Sequence, residues 1–139
     1  MSQRLEAQLA FLAEADRLKS VLRASKLIDN SRHENSAEHS WHIMLYALVL
    51  ADQAGPEVDI GRVLRMLLIH DIVEIDAGDA PIHGHVDHEA MATKEAAAAT
   101  RLFGLLPAEL AREAKIQFCG PTGTDAVEAA LKLVRTATG

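Results

Sequence analysis

Aromatic side chains are scarce in this chain: three Phe, one Tyr and one Trp make up 4% of its residues. A core with so few rings must be filled by Leu, Ile, Val, Met and Ala, which suits packed helices better than a sheet sandwich. Cys119 is the one cysteine. That excludes an internal disulfide framework and fits a reducing compartment. No apolar run reaches the length of a membrane span. The first residues, MSQRLEAQLAFLAEADRLK, mix acids and bases where a signal peptide would show a basic start and a clean apolar stretch. A cytoplasmic chain without a membrane partner is expected. Cations are also in the minority, with 14 Lys and Arg against 20 Asp and Glu, a net charge of -6. An acidic surface repels a phosphate polymer, so a nucleic-acid partner is not expected. A small phosphate ester needs only a local group of cations and is not excluded.

What is present is apolar residue at 49% over 139 positions. That suffices for one core, and a single domain over 1–139 is expected. Apolar positions at helical spacing run through 3–23, and Ile28-Asp29-Asn30-Ser31 breaks them. Asn35, with Glu38 three residues on, predicts a capping box and a second helix that ends before Gly55-Pro56. Asp59 caps a third helix from Ile60 to about Asp76. Its apolar residues cover nearly the whole circumference, which predicts a buried central helix. Residues 77–85 read as a loop. Helices are predicted over 88–106, 107–118 and 125–135, with no strand. The expected fold is all-α.

The chemistry begins on the central helix. His70, Asp71 and Glu74 stand in the aliphatic run MLLIHDIVEID. Burying an unpaired charge there would cost several kcal/mol, of order 3–5. A cation between His70 and Asp71 would compensate, with Glu74 one turn later beside it. A buried Asp–His hydrogen bond with Glu74 at a solvent edge is the other resolution. His39, in the first turn of the second helix, shares a stripe with Ile43, Tyr46 and Leu50. Packing the two helices side by side could bring it to His70 and Asp71. A His, His, Asp set suits one divalent cation such as Co, Mn, Mg, Fe or Zn.

The stretch Arg32-His33-Glu34-Asn35-Ser36-Ala37-Glu38-His39, followed by His70-Asp71-Ile72-Val73-Glu74-Ile75-Asp76-Ala77-Gly78-Asp79, resembles the HD-domain metal-dependent phosphohydrolases. It is most similar to the branch of the bacterial 5′-deoxynucleotidases and their eukaryotic HD-domain relatives. Both long motifs match at every fixed position, and the resemblance runs over about 18–79. It implies an HD-domain helical bundle whose central helix carries the His-Asp pair. It implies His39, His70 and Asp71 as metal ligands, Glu74 as the acid that orients or deprotonates the attacking water, and Asp79 as a contact to the substrate's sugar. Arg23 matches a phosphate-binding arginine across a one-residue gap, or is a solvated helix-end arginine. Arg32 and Glu34 match a motif pair with a structural part to play. The substrate implied is a small phosphomonoester, a deoxynucleoside 5′-monophosphate first among them.

The resemblance fails in the divergent region 108–139. A late-helix aspartate is expected as a fourth ligand, yet residues 130–134 read ALKLV. Asp125 is the candidate that remains, with Glu128 or water as alternatives. The change leaves room for a degenerate domain that binds or regulates, or for another HD phosphodiesterase or triphosphohydrolase chemistry. His83, His85 and His88 form a histidine-rich loop that could bind zinc, though it is read first as solvated, or as a lid. The Ala-rich helix 89–101 could seat a second copy, so a homodimer is possible.

Overall fold

The computed structural model describes residues 1–79 and 87–118, the side chains of 115–118 excepted. Six helices and one hairpin make up this part. Helix α1 spans Gln3–Asp16, with the Ser2 hydroxyl accepting from the Leu5 N–H. A 3₁₀ turn, Arg17–Ser20, follows it. Strands β1 (Leu22–Lys26) and β2 (His33–Asn35) pair antiparallel. Then come α2 (Ser36–Val49), α3 (Ile60–Ile69), α4 (Glu74–Ala77), α5 (His88–Phe103) and α6 (Ala108–Phe118). Among the described residues no helix is long and apolar enough to cross a membrane.

The mostly helical fold agrees with the expected all-α class, and the hairpin corrects only the expectation of no strand. Periodicity placed 17–23 in the first helix, but from Val21 the backbone is extended. The strand left no trace in the pattern because four of the five β1 residues are exposed, so no alternation marks it. Its turn was visible: Asn30 adopts φ 59°, and the Asp29 carboxylate accepts from the Ser31 N–H. Leu22 pairs with Asn35 and Lys26 with His33. Four steps along β1 therefore oppose two along β2, and this bulged stretch carries Arg23. Bulges re-aim side chains in this way.

The second correction concerns the third helix. It ends at Ile69, and the backbone from Ile69 to Asp76 closes by i→i+3 bonds such as Ile72 N to Ile69 O and Glu74 N to Asp71 O. Such a turn advances about 120° per residue instead of 100°. His70 and Asp71 therefore stand at a break rather than inside a continuous helix. Gly78, at φ 77°, ends α4. Nor is α3 buried on every side. Val63 and Leu67 are buried, but Leu68 is exposed.

Two apolar clusters hold these pieces. Ala47, Val63 and Leu67, backed by Ile43 and Met44, join α2 to α3. Ile72, Val73, Ala98, Ala99, Leu102 and Phe103, backed by Phe11 and Ala15, join the turn after α3 to α5 and α1. Part of the Ala-rich stripe of α5 is thus used inside the chain. On α2 the buried apolar position is Ala47, with Ser36 and Ser40 also buried, while Tyr46, placed by the pattern on the core face, is half exposed. Arg101 of α5 grips Asp76 with two bonds at 2.6 and 2.8 Å and reaches Glu14 at 2.8 Å.

The start of α2 is firmly fixed. Asn35 Oδ1 accepts from the Glu38 N–H at 2.9 Å, and Glu38 Oε1 accepts from the Asn35 N–H at 2.7 Å. Arg32 clamps the same carboxylate at 2.5 and 2.9 Å. Arg32 and the Asn35 N–H hold the Glu38 carboxyl down at about 2. A lowered carboxyl stabilises the fold above its unfolded value of 4.5, and that contribution is lost as pH falls toward 2. Thermal midpoints of the wild type and Glu38→Gln should therefore differ at pH 7 and converge near pH 2. Leu67, at 0% exposure, leaves a cavity when truncated, and Leu67→Ala should cost about 2–5 kcal/mol in a denaturant titration.

Candidate metal centre

His39 comes from the first turn of α2, and His70 and Asp71 from the break after α3. The Leu67 cluster packs these two helices together, so the three side chains converge. One ligand atom from each lies within 4.8 Å of the others. The rings of His39 and His70 are 5.9 Å apart, and His70 Nε2 stands 2.9 Å from Asp71 Oδ1. In each ring the other nitrogen is taken. His70 Nδ1 donates to the Leu67 carbonyl at 2.6 Å, and His39 Nδ1 to Glu34 Oε2 at 3.1 Å. Nε2 of each ring is left to face the cluster, that of His70 beside Asp71.

Arg23 is not a solvated helix-end arginine. It leaves the bulged β1 strand and is largely buried. Nη1 donates to Asp71 Oδ2 at 3.0 Å and lies 3.6 Å from Glu74 and 3.7 Å from Asp79. Nε is 3.8 Å from Glu34 Oε2 and, buried, has no hydrogen-bond partner among the described residues. Asp79 also accepts from the Ala24 N–H at 3.1 Å, and His33 Nδ1 meets the Arg23 carbonyl at 2.9 Å. Glu74 accepts a hydrogen bond from the fully buried Ser36 hydroxyl at 2.5 Å. Five of the residues singled out in the sequence, together with Arg23, therefore share one site. Asp125, Glu128, His83 and His85 lie outside the described residues, and His88 begins α5.

Electrostatics ask for a cation here. Four carboxylates, Glu34, Asp71, Glu74 and Asp79, surround one guanidinium. Burial, then the charge of Asp71, pushes the Glu74 carboxyl up to about 7, against the Ser36 bond and Arg23. Burial, then Arg23, pushes His39 down, so its ring is held neutral, the form that ligates. Burial would lower His70 too, but the hydrogen bond and charge of Asp71 outweigh it and the net direction is up. The donor set of two imidazoles and a carboxylate fits a divalent metal ion.

Three contributors were given no place in the site by the sequence reading. Glu34 was legible only as a motif residue and Ser36 as the first residue of a helix. Glu95 of α5 is raised by burial and then by the charge of Asp71, which puts its carboxylate within electrostatic reach of the site. Its one signal was being the lone acid in the run Lys94–Thr100. A cavity of about 660 Å³ lies elsewhere, lined by residues such as Phe11, Leu68, Phe103 and Leu110, and holds none of this chemistry.

Comparison with known proteins bears on the family of the chain. The HD domain family model matches residues 15–118. A 5′-deoxynucleotidase of Photorhabdus laumondii is 34% identical over 108 residues, 72% of this chain and 54% of that protein. The crystal structure of a predicted metal-dependent phosphohydrolase from Magnetospirillum magnetotacticum superposes with a TM-score of 0.79 at 54% identity, over 84% of this chain and 58% of that one. The chain thus spans about half the length of these HD relatives. A stretch of 38 residues is 74% identical to a diaminobutyrate–2-oxoglutarate aminotransferase of Rhizobium meliloti, which is 27% of this chain and 8% of that enzyme. If the trio holds a metal, cobalt or manganese at a hundred times its Kd should stabilise the fold by about 2.7 kcal/mol. His70→Ala should abolish that rise in thermal midpoint. By the extent of the family match, 15–118, the chain belongs to the HD domain family.

Proposed function

We propose that this chain is a metal-dependent phosphohydrolase acting on a small phosphomonoester, a (deoxy)nucleoside 5′-monophosphate first among them. The observation that carries the reading is the meeting of His39, His70 and Asp71 with a carboxyl near neutrality, Glu74, and a buried arginine. The named relatives include a 5′-deoxynucleotidase, which points to the nucleotide class.

His39, His70 and Asp71 would hold the ion. Bound there, a divalent cation supplies Lewis acidity toward a phosphoryl oxygen and toward water. Glu74 takes the proton of the attacking water at a carboxylate oxygen, while the Ser36 hydroxyl keeps that carboxylate in place. Water adds to phosphorus as the bond to the ester oxygen breaks, and the alcohol leaves with the proton that Glu74 took up. Arg23 turns its guanidinium from Asp71 to the phosphoryl group and offsets its charge. Asp79 accepts a hydrogen bond from a sugar hydroxyl. The sequence ALKLV at 130–134, where the resemblance expects an aspartate, favours a second reading, a domain that binds metal or nucleotide without turnover.

Metal-stripped protein, reloaded in turn with Co, Mn, Mg, Fe or Zn, should release phosphate from dAMP, dGMP or dTMP. Glu74→Gln should lower kcat by about 10²–10⁴-fold with metal binding retained, and Asp71→Ala should remove activity. Arg23→Ala should raise KM more than any change in the metal affinity explains. Tight metal binding with no phosphate release under any metal would sink the enzyme reading in favour of the binding domain.

A further inference from the structure

The two histidines of the trio sit at opposite kinds of helix end, and this sets what can orient them. His70 follows the last turn of α3, where carbonyls lack helical partners. One of these, Leu67 O, accepts its Nδ1–H. His39 lies in the first turn of α2, where the free backbone groups are N–H donors and the carbonyls are committed to the helix. No backbone acceptor of that kind is at hand, so a side chain must serve. Glu34, in the middle of β2, does so through Oε2 at 3.1 Å. The same oxygen takes the Ser25 hydroxyl at 3.4 Å and stands 3.8 Å from Arg23 Nε.

We propose that Glu34 is a positioning residue for His39, fixing the proton on Nδ1 so that Nε2 presents its lone pair to the metal. This rests on His39 being a ligand and deepens the reading of the site above. A carboxylate behind a ligating imidazole fixes its tautomer and ring orientation and raises its basicity, and its loss commonly costs 10–100-fold in affinity. The hairpin then has a stated purpose. Its bulged strand delivers Arg23, and its return strand delivers the acceptor that α2 cannot provide.

The tautomer is read first, on metal-free protein at pH 8, from the ring ¹⁵N shifts of His39. The wild type should show Nδ1–H. Glu34→Ala should shift the ring toward Nε2–H, the form that binds no metal through Nε2. Glu34→Gln, whose amide oxygen can still accept, should keep much of the Nδ1–H form. Cobalt titrations should then give Glu34→Ala a Kd weaker by about 10–100-fold, Glu34→Gln an intermediate value and His39→Ala the largest loss. Thermal midpoints of the metal-free variants check that all are folded. Wild-type Kd and tautomer in Glu34→Ala would overturn the proposal. So would a loss in Glu34→Gln as complete as in His39→Ala, which would make Glu34 a ligand itself. Because the tautomer is read without metal or substrate, a failure to find phosphate release would leave this outcome standing.

Discussion

The structure turns on an excess of negative charge placed where water is thin. Four carboxylates gather around the guanidinium of Arg23, and one guanidinium cannot neutralise them. The strain is visible in Glu74, whose carboxyl rises to about 7 through burial and the nearby charge of Asp71. A fold tolerates such crowding when a ligand supplies the missing positive charge. The imidazoles of His39 and His70, each with Nδ1 already bonded, stand beside those carboxylates with Nε2 facing the cluster.

The packing serves that arrangement. The Leu67 cluster brings α2 against α3, and the Phe103 cluster anchors the turn that follows. His70 and Asp71 fall between the two, at the point where α3 gives way to i→i+3 bonding. The polar groups are thus held from both sides by apolar contacts. The capping box and Arg32 fix the start of α2, which sets the position of His39.

Much of the site was legible beforehand because its residues are chemically anomalous where they stand. A His-Asp pair inside MLLIHDIVEID demands compensation wherever the helix packs. The motif beginning at Arg32 signals a helix start by its capping chemistry alone. Glu34 and Ser36 gave no comparable signal. An acid and a serine before a helix are ordinary, and only their partners, five and 38 residues away, show what they hold. The hairpin was hidden for a related reason. A short exposed strand buries too little to impose a pattern of period two, and its stability comes from its partner strand.

The sequence by itself determined the helical class, the cap of α2 and the identity of His39, His70, Asp71 and Glu74 as residues needing a partner. Those follow from local periodicity, hydrogen-bonding chemistry and the cost of burying charge. Tertiary structure alone decided that Arg23 enters the site, that α3 breaks at His70, and that Glu34 stands behind His39. Each depends on a bulge, a tightened turn or a strand register, and these are settled by contacts between segments far apart in the chain.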